Sequence, residues 1–142
     1  MANNILVTGG AGFIGSHTAD LLISKGYKVT VLDNLSTGKR KNVNSKVRFI
    51  FGDILNLDKN IRKFGKIDAV VHCAAQISVT ESVKNPANDA KNNILGSIRL
   101  LEMCRKADIG KFVFASSCAV YGLNPKLPAN EKTVQPENPY AV

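Results

Sequence analysis

Three glycines and one acid give the first sign of chemistry in this sequence. Residues 8–15 (TGGAGFIG) directly follow an apolar run, residues 5–7, and Asp33 stands 24 residues after Gly9. Glycines at this spacing allow a tight turn, a close approach of the main chain to a pyrophosphate, and dense packing of the following helix. An acid about 20 residues further on can accept ribose hydroxyl groups. The pattern predicts a dinucleotide-binding site.

Each glycine of this turn has its own predicted task. Gly9 takes a tight turn that a Cβ would block, Gly12 lets the main chain approach the phosphates, and Gly15 lets the helix pack closely. The helix that starts here, predicted over residues 13–25, would offer unpaired N–H groups and a partial positive charge to the phosphates.

The aspartate at position 33 bears on the choice between two cofactors. A carboxylate at the end of the second strand favours NAD, because it would repel the 2′-phosphate of NADP. The basic run Lys39-Arg40-Lys41 lies nearby and could in principle invert that preference. A plain turn residue at a strand end is the structural alternative for Asp33.

Composition is that of an ordinary globular protein. With 44% hydrophobic and 21% charged residues, a chain of 142 residues can form one domain with a real core. The formal net charge of +8 fits either a lysine-rich surface or an anionic partner, a nucleotide or a nucleic acid. The basic residues are dispersed without interleaved aromatic rings, which argues against a nucleic-acid-binding platform.

Cysteine usage and hydropathy point to a cytoplasmic protein. Cys73, Cys104 and Cys118 are far apart, and with only two histidines they make no metal-ligand pattern, so we expect no metal and reduced thiols. The first apolar run is too short for a signal peptide, and no run approaches the ~18 residues that would span a membrane.

The elements that must position these residues alternate between strand and helix. Strands are predicted at residues 4–8, 28–32, 47–51, 68–73 and 111–116, and helices at residues 13–25, 55–64 and 87–107. Such alternation predicts an α/β protein of the Rossmann type, a doubly wound parallel sheet with strand order 3-2-1-4-5. The glycine turn, Asp33, Ala74 and Ser117 would then all lie at carboxyl ends of strands, where such folds bind ligands.

Several positions near these strand ends allow two interpretations. Asp53 could hold an adenine amine or cap the following helix, and Ile54 could pack on the adenine ring. Ala74 and Ala75 could let the main chain approach the cofactor, or could fit a tight crossing from strand to loop. His72 is expected to be a half-buried structural group. The amides in residues 92–93, on a helix face that should pack on the sheet, suggest a ligand or a buried hydrogen-bond network.

Seven segments in this order carry a resemblance to a known family. They are residues 8–17, 32–35, 52–54, 72–76, 92–96, 116–122 and 138–140. The chain resembles the N-terminal part of an extended short-chain dehydrogenase/reductase, of the NAD-dependent epimerase/dehydratase family and its UDP-glucose 4-epimerase branch. Related dehydratases and decarboxylases usually carry an acid where Cys118 and Ala119 stand, which favours a 4-epimerase. Some members have a lysine where Ile77 stands, and that lysine reaches the pyrophosphate. Ile77 cannot make this contact, so we do not transfer it to this chain.

This resemblance implies roles for individual residues. In the cofactor site, it implies a phosphate turn lined by Gly9, Gly12, Phe13, Ile14 and Gly15. It implies that the adenosine ribose is bound by Asp33 and Asn34 and that the adenine is held by Asp53 and Ile54. The residues implied to border the cofactor are Cys73, Ala74, Ala75 and Asn92. The implied catalytic residues are Ser117, which would contact the sugar 4-hydroxyl, and Tyr140, the tyrosine of a Y-x-x-x-K motif.

The implied reaction passes a hydride from sugar C4 to NAD⁺ and back to the other face of the sugar. The motif lysine would fall two residues beyond Val142. We therefore expect residues 1–142 to be an incomplete NAD-binding Rossmann domain, truncated before the later strands and without the substrate-binding portion. As implied for the family, the full-length protein would be a cytoplasmic homodimer acting on a nucleotide sugar, with no nucleic-acid or membrane partner, and the 142-residue chain would not be a competent epimerase.

Other functions stay open at this stage. A dehydratase, a reductase or a uronate epimerase of the same superfamily would share most of the matching segments. A non-catalytic NAD-sensing or nucleic-acid-binding module is the alternative from another class, and the net charge of +8 speaks for it.

Overall fold

A computed structural model of the chain describes residues 3–59, 64–123, 127–132 and 134–142. The chain divides into two compact units, residues 1–74 with 96–115 and residues 75–95 with 116–142. Within the described ranges, no helix is both long and apolar enough to cross a bilayer.

The first unit is built on a five-stranded parallel sheet. Its strands are β1 (Asn4–Thr8), β2 (Lys28–Asp33), β3 (Arg48–Phe51), β4 (Ala69–His72) and β5 (Phe112–Phe114). Their order is β3-β2-β1-β4-β5, and Val7 of β1 lies opposite Val31 of β2 and Val71 of β4. The predicted fold class and strand order are confirmed.

Apolar layers cover both faces of this sheet, which explains why the central strands are apolar throughout. Successive side chains of a strand point to opposite faces, so Leu6 joins one layer while Ile5 and Val7 join the other. Helix α1 (Phe13–Ser24) contributes Ala19 to the second layer. The helix Gly96–Lys106 contributes Leu100 to the first, together with Met103 and Cys104.

The second unit is made of short helices and loops. Helix α2 (Val79–Lys84) was not predicted from the sequence, and helix α3 (Pro86–Ala90) follows it. Ser78 caps α2 by accepting a hydrogen bond from the Glu81 N–H, and Asn85 caps α3 in the same way ahead of Pro86. Next come a π-helical turn, Lys91–Leu95, and then the helix of the first unit at Gly96–Lys106, hereafter α4.

Two predicted helices differ from their expected form. The helix expected over residues 87–107 is helical throughout Pro86–Lys106, but the π-helical turn, Lys91–Leu95, interrupts its α-helical geometry. Where a helix was expected over residues 55–64, the structure has 3₁₀ turns over Ile54–Lys59 with non-helical dihedral angles at Asn56, and residues 60–63 lie outside the described residues. Further 3₁₀ turns are Arg40–Asn42 and Cys118–Tyr121.

The helix α4 offers a matched test of this packing. Leu100 is 0% exposed in the first layer, whereas Leu101 is 48% exposed. We expect Leu100→Ala to lower the free energy of unfolding by about 2–5 kcal/mol because it leaves a cavity. Leu101→Ala removes the same atoms at the surface and should change it by about 0.5 kcal/mol or less. Urea denaturation measures both, and equal losses would contradict this assignment of the core.

Candidate cofactor and catalytic site

The glycine turn lies against the loop that follows β4. Gly9 has φ +69°, a conformation that favours glycine, and its N–H donates to the Leu32 carbonyl at 2.9 Å. A Cβ on Gly9 would lie 2.6 Å from the Ala74 nitrogen and 2.7 Å from the Cys73 carbonyl carbon. Both neighbours are main-chain atoms and cannot move aside, so the predicted requirement for glycine at this position is confirmed.

The start of α1 is shaped to receive an anion. A Cβ on Gly15 would lie 2.3 Å from the Gly9 carbonyl oxygen, so glycine lets the helix pack on the turn. Gly12 is the N-cap and offers no side chain to the N–H groups of the first turn. That turn, all of whose residues are described, carries no acid, and Phe13 is 79% exposed beside it. Free N–H groups and the helix dipole favour a phosphate here.

Asp33 lies at the end of β2 with its carboxyl group turned toward the glycine turn. One oxygen accepts from the Ala11 N–H at 2.9 Å and the other from the Leu35 N–H at 2.7 Å. The residue is buried. A carboxyl oxygen has two lone pairs, so each can accept a further hydrogen bond, as two ribose hydroxyls would require. Asp33 also acts as a turn residue, the structural alternative, because its carboxyl group accepts from the Leu35 N–H and so holds the turn there.

The basic run 39–41 is held close to the glycine turn through its main chain. The Lys39 N–H donates to the Ala11 carbonyl at 3.0 Å. The guanidinium of Arg40, however, lies over the Phe49 ring, 4.6 Å from the ring centroid. This cation–π contact engages one of the cations that could receive a 2′-phosphate.

Asn34 and Asp53 are brought together from neighbouring strand ends. The Asn34 amide donates to one Asp53 carboxyl oxygen at 3.0 Å, and the other accepts from the Leu55 N–H at 2.8 Å. The capping interpretation of Asp53 therefore holds, and its adenine contact stays a prediction. Ile54 is buried in the core, where a Cβ on Gly96 would lie 2.5 Å from its Cδ1, so an adenine contact would come mainly from its main chain.

The loop after β4 shows the tight crossing that was one interpretation of its small residues. Ala74 lies against the glycine turn, and Ala75, the first residue of the second unit, is exposed. Burial raises the pKa of the Cys73 thiol, which keeps it protonated at neutral pH. Cys73 can therefore border a ligand but is not activated as a nucleophile.

A hydrogen-bond chain that the sequence did not reveal lies beneath this loop. His72 Nδ1 is 2.6 Å from the Thr8 hydroxyl and His72 Nε2 is 2.9 Å from the Ser97 hydroxyl, while the Ala74 N–H donates to Thr8 at 3.3 Å. The expectation of a half-buried histidine is wrong, because His72 is 1% exposed and Phe112 and Phe114 contact its ring edge-on. Burial lowers its pKa from 6.5 to about 4, so the ring is neutral at neutral pH.

In the second unit, the amides of the π-helical turn are engaged as the sequence suggested. Asn93 pairs with the main chain of Gln76 in both directions, accepting its N–H at 2.8 Å and donating to its carbonyl at 2.9 Å. Asn92 donates to the Asn88 carbonyl at 2.7 Å, which leaves its own carbonyl oxygen available to a ligand. The structure thus has a partly buried hydrogen-bond network at these asparagines, and the contact of Asn92 with a cofactor stays a prediction.

The segments that carry Ser117 and Tyr140 are tied to one another. The Gln135 N–H donates to the Val120 carbonyl at 2.9 Å, and Gly122, with φ +79°, lets the Gln135 carbonyl approach to 2.7 Å of where its Cβ would stand. The Ser117 hydroxyl accepts from the Ala119 N–H at 3.2 Å, so its own proton can be donated elsewhere.

Tyr140 lies half-buried in a turn that Asn138 closes. The Ala141 N–H donates to the Asn138 carbonyl at 3.0 Å and to the Asn138 side-chain oxygen at 3.1 Å. These bonds fix the main chain on both sides of Tyr140.

Among the residues whose positions are described, no three His, Cys, Asp or Glu side chains lie close enough together to hold a metal ion.

Comparison with known proteins gives concordant matches. The sequence model of the NAD dependent epimerase/dehydratase family matches residues 5–142. A relative from Methanocaldococcus jannaschii, a putative UDP-glucose 4-epimerase, is 51% identical over 142 residues, which are 97% of this chain and 46% of that protein. The chain thus spans about half the length of the curated relatives it matches.

Two solved structures resemble it closely. The UDP-glucose 4-epimerase of Brucella ovis in complex with NAD superposes with a TM-score of 0.88 at 46% identity, over 99% of this chain and 44% of that one. The UDP-glucose 4-epimerase of Thermotoga maritima with UDP-glucose superposes with a TM-score of 0.89 at 48% identity, over 97% and 46%.

The buried histidine predicts a pH-dependent stability. Its folded pKa of about 4 lies below the ordinary 6.5, so between these values the unfolded chain takes up a proton that the folded chain does not. The contribution of His72 is therefore present above pH 6.5 and is lost as the pH falls, by about 2 kcal/mol between pH 7 and pH 5.

Urea denaturation at the two pH values tests this. His72→Gln should remove that part of the pH dependence, while His17→Gln, which removes an exposed imidazole, should keep it. An unchanged pH dependence in His72→Gln would contradict the prediction.

Proposed function

Because this chain belongs to the NAD dependent epimerase/dehydratase family, whose model matches residues 5–142, we propose that it is the NAD-binding portion of a nucleotide-sugar 4-epimerase of the UDP-glucose type. The observation that carries this proposal is that the start of α1, which has no side-chain cap, lies beside the buried acid Asp33 at the end of β2. The proposal comprises an incomplete Rossmann domain, residues 1–142, in a cytoplasmic homodimer of greater length.

The dinucleotide is assigned to the glycine turn and its neighbours. The main chain between Gly12 and Gly15 receives the pyrophosphate, with Phe13 and Ile14 lining that turn, and the Asp33 carboxyl group with Asn34 receives the adenosine ribose. Hydrogen bonds from Ala11 and Leu35 fix the carboxyl group before any ligand arrives, which lowers the entropy lost on binding.

The remaining cofactor contacts are proposed from the resemblance and from the described positions. Asp53 and Ile54 hold the adenine, and Cys73, Ala74, Ala75 and Asn92 border the cofactor. When bound, NAD⁺ supplies the hydride acceptor for oxidation at sugar C4.

Ser117 and Tyr140 are the proposed proton-handling pair. Tyr140 takes the proton of the sugar 4-hydroxyl and returns it, and Ser117 donates a hydrogen bond to the same oxygen. The main-chain tie between their segments supports a shared task, because it fixes Val120 against Gln135.

The absence of an acid beside Ser117 supports epimerisation over dehydration. Cys118 and Ala119 occupy the 3₁₀ turn that follows Ser117, and neither can protonate a leaving hydroxyl group in the way a carboxylic acid does. We assign a UDP-sugar as the substrate by similarity to the relatives, because one of their structures contains UDP-glucose.

Cofactor preference tests the role of Asp33. Calorimetric titration should show NAD⁺ binding roughly 10–100-fold more tightly than NADP⁺, a difference of about 1.4–2.7 kcal/mol. Asp33→Asn should bring the two affinities close together, because the charge that repels the 2′-phosphate is gone. Asp68→Asn makes the same change of charge at the start of β4, where Asp68 accepts from the Asn4 N–H, and should leave the preference intact. Equal affinities in the parent protein would overturn the assignment of Asp33.

Activity tests the catalytic pair in a protein of the relatives' full length that begins with this chain. Tyr140→Phe should lower kcat for interconversion of UDP-glucose and UDP-galactose by about 10²–10⁴-fold, the usual contribution of a general base, and Ser117→Ala by less. Tyr27→Phe, on the loop before β2, is the matched control and should retain activity. Full activity in Tyr140→Phe would remove tyrosine from this role.

A further inference from the structure

A buried acid in the second unit lies at the centre of a network that none of the proposed chemistry uses. Asp89, in helix α3, is 3% exposed. Its Oδ1 accepts from the Gln76 side-chain amide at 2.7 Å and from the Asn93 side-chain amide at 3.1 Å. Burying a polar group of this kind is unfavourable unless it is hydrogen-bonded, and here two donors converge on one oxygen.

The two amides held by Asp89 belong to two different segments. Gln76 lies in the loop after Ala75, and Asn93 lies in the π-helical turn directly after Asn92. The amide of Asn93 also bonds the Gln76 main chain at its N–H and at its carbonyl, so two direct bonds join the segments and Asp89 bridges them as well. Asp89 thus fixes both segments that carry proposed cofactor-bordering residues of this unit.

The network extends to the next helix through Gln76. The Gln76 amide donates to the Ser78 carbonyl at 3.0 Å, its oxygen accepts from the Ser78 N–H, and the Ser78 hydroxyl caps helix α2. Both N–H groups of the Gln76 amide are therefore donated within the protein, and its oxygen accepts one bond there. These bonds let Gln76 hold the loop in place.

We propose that Asp89 is a positioning residue for cofactor binding, which acts through Gln76 and Asn93 to fix the loop after β4 and the π-helical turn. π-Helical turns are rare, and turns of this kind often occur at functional sites. This inference rests on the proposed NAD site. The acid itself does not touch the ligand, and its effect comes from the pre-organisation of Ala75 and Asn92.

Three variants separate positioning from general stability. Asp89→Ala removes the oxygen that accepts from the Gln76 and Asn93 amides, whereas Asp89→Asn keeps an acceptor oxygen on a side chain of the same size. Ser82→Ala is the matched control, because Ser82 is 0% exposed in α2 and its hydroxyl donates to the Val79 carbonyl at 2.8 Å. It deletes one buried hydrogen bond in the same unit without touching the network.

The measurement is the dissociation constant of NAD⁺ by calorimetry, under conditions where denaturation curves show each variant to be folded. We expect Asp89→Ala to weaken NAD⁺ binding tenfold or more, Asp89→Asn about threefold or less, and Ser82→Ala not at all. The fluorescence emission of bound NADH should differ from that of the parent protein in Asp89→Ala and match it in Asp89→Asn. The main-chain N–H of Gln76 should exchange its hydrogen with solvent faster in Asp89→Ala and at an unchanged rate in the other two variants. Where Asp89→Ala does not fold, Gln76→Leu removes the side-chain amide that bonds Asp89 and Ser78, at similar volume, and should weaken NAD⁺ binding at least threefold.

The outcomes distinguish this inference from the proposed function. If the parent binds NAD⁺ and Asp89→Ala binds it equally well, or Ser82→Ala loses as much affinity as Asp89→Ala, positioning by Asp89 is overturned while the NAD site stands. If the parent does not bind NAD⁺, the proposed function fails and the inference fails with it.

Discussion

The close approach of two main chains at the carboxyl edge of the sheet constrains the rest of the first unit. The glycine turn and the loop after β4 approach until a Cβ on Gly9 would lie 2.6 Å from the Ala74 nitrogen. No side chain can fill that position, so the first crossing of the chain has to begin with glycine and the loop opposite it has to remain small. The same contact leaves the main-chain groups at the start of α1 facing outward, where a phosphate can be bound.

Holding two loops this close requires polar groups inside an apolar core. Thr8 is fully buried at the end of β1, and it bonds both His72 and the Ala74 N–H. Asp33 does the same for the neighbouring strand through Ala11. A buried polar group without a partner would destabilise the fold by about 1–3 kcal/mol, so these residues stabilise only because their bonds are complete. The residues that shape the binding edge and those that stabilise it are therefore the same.

Features set by local sequence were predictable, and features set by distant partners were not. The strands and their order follow from apolar runs, the glycine turn and Asp33, all of which are local signals. The burial of His72 was underestimated because its partners Thr8 and Ser97 are 64 and 25 residues away in the chain. The hydrogen bonds of Asp89 were not predicted either, because its partners Gln76 and Asn93 lie in a loop and in a π-helical turn that no periodic pattern indicates, although the adjacent asparagines 92–93 did suggest a network. Helix α2 was overlooked because it is a single short element started by one cap, Ser78.

The two units are stabilised by different interactions, and this bears on how function can change in such a fold. Apolar layers hold the first unit, and in such layers almost any polar substitution destabilises the fold. In the second unit, side-chain to main-chain bonds order the segments around Ser117, Gln76 and Tyr140. A bond of this kind contributes only about 0.5–1.5 kcal/mol, so replacing one shifts geometry more than it threatens folding. A single substitution in the second unit therefore alters local geometry more readily, while the glycine turn of the first unit has little freedom to vary.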